Sequence, residues 1–283
     1  MSDTIDARSN LGEEQRPASK LGVSIGHMMS RPLNLTRFPI LVKRLASLPE
    51  DLRIYAFGDI HGRCDLLDRC LSKVDRDLSE RPTRHQLLVF LGDYIDRGSQ
   101  SRETVSRLVE TAAKYECVFL KGNHEHIAMR SLTDLSVMPN WLRLGGLETL
   151  QSYGVTPVIS PDRRDAVAIQ IAFQNALPSS HFRFFGGLKN QFVCHDMFFV
   201  HAGIRPAIDL SAQREEDLLW IRDEFLRSNR DFGKIVVHGH TPTVCVDVQP
   251  NRINIDTGAY SSGRLTCLVL EHDQISIIDT DTP

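Results

Sequence analysis

Leu87-Leu-Val-Phe-Leu-Gly-Asp-Tyr-Ile-Asp-Arg-Gly98 carries the logic of the fold. An apolar run of strand length ends in a Gly-Asp turn, with a second carboxylate three positions on and an arginine beside it. Short apolar runs closed by turn residues read as strands buried on both faces. The same grammar recurs on either side. Arg53–Phe57 runs into Gly58-Asp-Ile-His-Gly62, and Val118–Leu120 into Gly122-Asn-His-Glu125. Further on, Met197–Val200 leads to His201-Ala-Gly203, Ile235–Val237 to His238-Gly-His-Thr-Pro242, and Ile253–Ile255 to Asp256-Thr-Gly-Ala-Tyr260.

Between these runs, apolar residues at three- and four-residue spacing predict helices over Cys64–Leu78, Ser101–Tyr115 and Glu216–Ser228. Leu265–Leu270 and Ile275–Ile278 flank a polar turn and predict a hairpin. Strands alternating with helices indicate an α/β domain. In such domains ligands collect beyond the carboxyl ends of the strands, and there this chain places Asp, Asn and His.

The composition narrows the function classes. Thirty-three Lys and Arg against 36 Asp and Glu leave a net charge of -3 across 283 residues, without the basic excess of a nucleic-acid binder. The six cysteines form no C-x-x-C pair, so neither a disulfide framework nor a thiolate zinc site is expected. No apolar run is long enough to span a membrane, and the acidic start Met1-Ser-Asp-Thr-Ile-Asp6 lacks the features of a secretory signal. The expectation is a cytoplasmic protein with no membrane and no nucleic-acid partner. Residues 1–50 read as an N-terminal extension: a polar, partly disordered tail, then a basic-apolar stretch, Leu33–Leu48, that docks as a helix or clamp. Residues 51–283 read as the catalytic domain.

The polar clusters suggest metal chemistry. Asp59 and His61, at i and i+2 on an extended segment, would face one side and could grip one ion. Asp93 offers a carboxylate able to bridge two ions, and Asn123 and His124 add an amide oxygen and an imidazole in adjacent positions. Alone, a Gly-Asp turn after a strand is commonplace. Five ordered motifs, the two Gly-Asp turns followed by Gly122-Asn-His-Glu125, His201-Ala-Gly203 and His238-Gly-His-Thr-Pro242, are not.

Together they resemble the PPP family of serine/threonine protein phosphatases, whose signature is GDxHG, GDxxDRG and GNHE followed by two histidine motifs. Asp217-Leu-Leu-Trp-Ile-Arg222 adds to the likeness, which covers roughly residues 50–283 and is nearest to the short bacterial or phage-type members. The resemblance implies the metallophosphoesterase fold, a sandwich of two mixed β-sheets flanked by helices. It implies that Asp59 and His61 bind a first metal, that Asp93 bridges, and that Asn123, His201 and His240 complete a second site. His238 would then support the ligands rather than bind. Arg97 and Arg222 match phosphate-clamping arginines, although Arg222 by itself would read as a solvated residue on an amphipathic helix. His124 matches the proton donor to the leaving group, and Asp96 the carboxylate that orients it.

The implied cofactors are two divalent ions, with Mn2+ favoured and Fe or Zn open, since the donor set is oxygen and nitrogen without sulfur. Two such ions outweigh the charge of Asp59, Asp93 and a bridging hydroxide. The centre would therefore attract a phosphate dianion and supply the nucleophile near neutral pH. Implied activity is hydrolysis of phosphoserine and phosphothreonine, with a phosphorylated protein as partner. Hydrolysis of dinucleoside polyphosphates is the alternative. A catalytically dead phosphopeptide-binding module is disfavoured because every metal and acid-base position is filled. Asp256 and Tyr260 are weaker candidates for support of a ligand and for lining the pocket.

Overall fold

Side chains alternate across each apolar run, and that alternation builds the layers. A computed structural model describes residues 36–37, 48–157 and 163–280. Along β2 (Leu52–Phe57), Ile54 and Ala56 face one core while Tyr55 and Phe57 face another, as the period-two geometry of a strand requires. The first sheet has β1 (Thr36–Arg37), β2, β3 (His85–Phe90), β4 (Cys117–Phe119), β10 (Thr266–Glu271) and β11 (Gln274–Asp279) in the order β1-β11-β10-β2-β3-β4. Its β2, β3 and β4 are parallel and the remaining pairings antiparallel. The second has β5 (Gln191–Cys194), β6 (Met197–Val200), β7 (Ile235–His238), β8 (Asp247–Gln249) and β9 (Arg252–Asn254) in the order β5-β6-β7-β9-β8, with β6, β7 and β9 parallel.

Ile54, Val89 and Leu268 of the first sheet meet Phe199, Val237 and Ile253 of the second in a shared core. Behind the first sheet, Tyr55 and Phe90 pack on α1 (Cys64–Glu80) and α2 (Ser101–Lys114) through Leu67, Cys70, Val105 and Leu108. The same layer includes α3 (Asn123–Ser131), α4 (Met138–Trp141), α5 (Leu147–Ser152), α6 (Arg163–Ala176) and α7 (Ser179–Gly186). Behind the second sheet, Phe198 and Val236 pack on α8 (Glu215–Trp220) and α9 (Asp223–Leu226). A short α10 (Ala259–Ser262) follows β9. The chain is thus two mixed sheets flanked by helices.

Two expectations change. The helix predicted over Glu216–Ser228 is broken in two, because Ile221 is extended (ψ 142°) and Arg222 lies at φ -131°, ψ -99°. Its apolar spacing survives the break: Leu218, Ile221 and Phe225 all enter one core, so periodicity could not reveal it. The helix or clamp expected over Leu33–Leu48 falls mostly outside the described residues. Within it, Thr36–Arg37 pair with β11 as an edge strand, and Leu48 is buried with its N–H donated to the His272 carbonyl at 3.2 Å. All six cysteines are free. No helix among the described residues is long and apolar enough to cross a membrane.

Candidate metal centre and active site

The carboxyl ends of β2, β3, β4, β6, β7 and β9 open onto one edge, and each following turn delivers a polar side chain there. Asp59, His61, Asp93, Asp96, Asn123, His124, His201, His240 and Asp256 are all buried. Among the described residues, two groups bring three metal-binding atoms within 4.8 Å of one another: His61, Asp93 and His124, and Asp93, His201 and His240. Asp93 belongs to both.

The backbone is bent to achieve this. His61, Asp93, Asp96, Arg97 and His240 all have left-handed φ, between 48° and 70°, which costs a non-glycine residue about 1–3 kcal/mol. His61 therefore reaches the cluster from a sharp turn, not from the extended segment its spacing with Asp59 suggested. Glu125 holds the Asp93 turn. Its carboxylate accepts the backbone N–H groups of Gly122 (3.0 Å), Asp93 (2.9 Å), Tyr94 (2.7 Å) and Ile95 (3.2 Å). Gly122 and Gly239 have no room for a side chain, since a Cβ there would collide with the Asp93 and Asp59 carboxylates.

Imidazole tautomers are set by what lies behind each ring. His61 Nδ1 is 3.0 Å from the Ile95 carbonyl and His201 Nδ1 is 2.9 Å from that of Leu91. A carbonyl only accepts, so each Nδ1 carries a hydrogen and each Nε2 is the nitrogen turned into the cluster. His201 Nε2 lies 2.9 Å from Asn123 Oδ1 and 3.3 Å from Asp93 Oδ1; burial disfavours its imidazolium, but Asp93 outweighs burial and raises its pKa above the usual histidine value. Asp59 Oδ2 accepts the His240 N–H at 3.0 Å, but Asp59 Oδ1 and His240 Nε2 are buried with no hydrogen-bond partner. Buried polar atoms are ordinarily satisfied. Electron-rich, unpartnered and convergent, these donors fit divalent cations with oxygen and nitrogen ligands.

The electrostatics agree. Burial, reinforced by the charges of Asp256 and Asp93, pushes Asp59 well above the usual carboxylate range. Burial also lifts Asp256 to about 6. For Asp93 burial opposes ionisation, yet the adjacent His201 and His124 outweigh it and hold the carboxyl well below its usual range. Burial drives His61 down to about 3 and His240, with help from His201, to about 2. Both therefore offer neutral imidazoles at neutral pH.

His124 differs from the other rings. Behind it stands a carboxylate, Asp96 Oδ2, 2.7 Å from Nδ1. Burial disfavours the imidazolium, but Asp93 and Asp96 prevail and raise the pKa above the usual histidine value. Its Nε2 faces the cluster, 3.9 Å from Asp93 Oδ2. Arg97 lies across the mouth, donating to His61 Nε2 (3.0 Å) and His124 Nε2 (3.1 Å). Arg222, on the break between α8 and α9, is exposed and donates to the His240 carbonyl at 3.3 Å.

The structure resolves which histidine of His238-Gly-His240 joins the cluster. His238 turns away, its ring against Phe225 at 5.0 Å, while His240 packs against His201 at 5.0 Å. Tyr260, 40% exposed, sets its ring edge-on to His61 at 5.4 Å and under the Arg97 guanidinium at 4.7 Å. Trp220, 37% exposed, stands edge-on to His240 at 6.2 Å. Asp256 accepts the Gly258 N–H at 2.9 Å. Of the histidines matching no ligand position, His181 is buried between Tyr153 and Ser106, and His27 lies outside the described residues. Sequence reasoning missed Trp141 and Thr149, whose side chains bond Asp96. No spacing pattern marks them.

Two mixed sheets with an aspartate- and histidine-rich cluster at their carboxyl edge define a metal-dependent phosphoesterase. The sequence profile of Calcineurin-like phosphoesterases matches residues 52–274, and the chain belongs to that family. It is 26% identical over 228 residues to the Bis(5'-nucleosyl)-tetraphosphatase PrpE (asymmetrical) of Halalkalibacterium halodurans, across 75% of this chain and 87% of that protein. It is 29% identical over 235 residues to Serine/threonine-protein phosphatase 2 of Salmonella typhimurium, across 79% and 96%. A crystal structure described as a putative diadenosine tetraphosphatase shares the fold, with a TM-score of 0.56 and 20% identity over 83% of this chain and 98% of that one.

Proposed function

We propose that this chain is a short PPP-type phosphatase that removes phosphate from serine and threonine side chains of cytoplasmic proteins. The observation that carries this reading is the buried His124–Asp96 pair. A seryl or threonyl alkoxide is a strongly basic leaving group and needs a proton as its P–O bond breaks, whereas a nucleotide polyphosphate departs readily without one. A carboxylate-backed imidazole facing the cluster is the device an alkoxide ester requires.

In this reading Asp59 and His61 would hold one divalent ion and Asn123, His201 and His240 a second, with Asp93 shared between the two sets; Mn2+ is favoured, with Fe or Zn as the other candidates. The ions, when bound, neutralise the carboxylates, attract the phosphate and activate water. His124 sits in one three-residue group with His61 and Asp93, but its carboxylate backing suits a proton donor better than a neutral ligand. Arg97 leaves the imidazoles to bind phosphate oxygens, and Arg222 approaches from the other side, both suited to bidentate contact. His124 Nε2 protonates the departing oxygen.

A second reading, hydrolysis of dinucleoside polyphosphates, is favoured by the relatives named as tetraphosphatases and by Trp220 and Tyr260, exposed rings beside His240 and His61 on which bases could stack. One panel separates them: turnover of a phosphoserine peptide, p-nitrophenyl phosphate and diadenosine tetraphosphate, with and without Mn2+. Efficient metal-dependent turnover of the peptide is expected. Turnover of the tetraphosphate alone would replace the first reading with the second.

A further inference from the structure

Asp96 is wholly buried, and the donors that reach its carboxylate are three side chains. His124 Nδ1 bonds Oδ2 at 2.7 Å, Thr149 Oγ1 bonds Oδ1 at 2.6 Å, and Trp141 Nε1 lies 3.1 Å from each oxygen. A hydroxyl has one hydrogen, and a carboxylate accepts only, so Thr149 must donate to Asp96. Its lone pairs then receive the Asp96 N–H at 2.9 Å and the Ser101 hydroxyl at 3.0 Å. Every bonding direction of Thr149 is thereby committed to Asp96 or to the residue beside it.

Trp141 ends α4 and Thr149 lies in α5, on either side of a kinked turn, Leu142–Gly146. Gly145 in that turn has φ 113° and accepts the Arg97 N–H at 3.2 Å. Gly146 packs so closely on the Trp141 indole that a Cβ would strike the ring. A single segment therefore braces both Asp96 and Arg97, whose φ values of 70° and 69° need external support.

We propose that Trp141 and Thr149 are positioning residues for the general acid: they hold the Asp96 carboxylate so that its remaining lone pair fixes the His124 ring with Nε2 toward the leaving oxygen. This rests on the reading of His124 as that acid. The step balances simply. Water oxygen forms a bond to phosphorus as the ester P–O bond breaks, and the electron pair departs on the alkoxide oxygen, which takes the Nε2 proton. The proton shed by the attacking water replaces it.

The test compares wild type, His124→Asn, Trp141→Phe, Thr149→Val and Thr149→Ser on a phosphoserine peptide and on aryl phosphates of graded leaving-group acidity, with bound metal measured. Misplaced catalytic groups typically cost up to about 10²-fold. Trp141→Phe and Thr149→Val should lose roughly 10- to 100-fold in kcat on the peptide, with KM and metal content near wild type and little loss on p-nitrophenyl phosphate. Thr149→Ser, which keeps the donor, should recover most of the rate. The hydrogen-bonded Nδ1 proton of His124, followed by NMR, should move upfield in Trp141→Phe and Thr149→Val but not in Thr149→Ser. If the Trp141 variant fails to fold, the two threonine variants decide. A normal substrate asymmetry in His124→Asn with equal losses across the series in the other variants would overturn the positioning role alone. Equal losses in His124→Asn itself would overturn the acid reading as well.

Discussion

The two ends of β2 gather buried charge in opposite ways. At its amino end Arg53, 2% exposed, donates to Asp77 Oδ2 (3.3 Å), the Arg81 carbonyl (2.6 Å) and Glu271 Oε1 (2.5 Å). Arg81 closes the ring onto Asp77 and Glu271, and the Tyr55 hydroxyl adds a 2.6 Å bond to Asp77. Two arginines face two carboxylates, and of the Arg53 nitrogens only Nε lacks a partner. At the carboxyl end, Asp59, Asp93 and Asp256 crowd among imidazoles, five site residues adopt left-handed backbone, and Asp59 Oδ1 and His240 Nε2 bond nothing. The first arrangement pairs each carboxylate with arginines and ties α1 to the sheet. The second turns carboxylates and imidazoles toward one another, the donor set that a divalent cation takes. Buried charge alone does not mark a site; unsatisfied, convergent charge does.

Substitutions at the two ends should fail differently. Asp93→Asn, which weakens the ligand shared by both proposed ions, should bring turnover of p-nitrophenyl phosphate to background and lower bound metal by elemental analysis, with circular dichroism unchanged. His124→Asn should keep its metal yet lose on the order of 10²- to 10⁴-fold on a phosphoserine peptide, and distinctly less on p-nitrophenyl phosphate. Asp77→Ala should do the reverse. Leaving two arginines short of a buried partner should cost about 3–5 kcal/mol in denaturant unfolding, with kcat per folded molecule unchanged.

A subtler contrast lies in sign. In metal-stripped protein Asp59→Asn should raise Tm, because it removes a buried carboxylate held among like charges. The pKa of Asp59 is higher folded than unfolded, so its contribution to stability is whole below the ordinary carboxylate range and is lost as pH rises through the raised folded value. The advantage of Asp59→Asn over wild type should therefore grow with rising pH and vanish in acid. A Tm that falls at every pH would show that Asp59 is a structural residue like Asp77. The smallest effect belongs to removal of residues 1–40, which takes away β1 and leaves the outer edge of β11 unpaired. A modest loss of stability or a tendency to associate is expected, with kinetics on p-nitrophenyl phosphate unchanged.

Much of this was legible in the sequence because strand-length apolar runs and the turns that follow them are local signals. Arg53–Phe57 and Leu87–Leu91 announce themselves, and so do the Asp and His residues that follow. Contacts made by tertiary folding were not legible. Trp141 and Thr149 lie 45 and 53 positions from the Asp96 carboxylate they bond. The break at Arg222 preserves the apolar spacing of an unbroken helix. The left-handed turns at Asp93 and His240 carry no local mark such as glycine, and Glu125 enforces the first through four backbone bonds drawn from two separate motifs.

The most direct test of a two-metal centre at the carboxyl edge is calorimetric titration of Mn2+ into chelator-stripped wild type and Asp93→Asn, with p-nitrophenyl phosphate turnover followed at each step. Wild type should take up two ions per chain and recover activity as the second binds, while Asp93→Asn should lose tight binding at both sites and stay inactive. Full activity in verified metal-free wild type, or two tightly bound ions in Asp93→Asn, would contradict it.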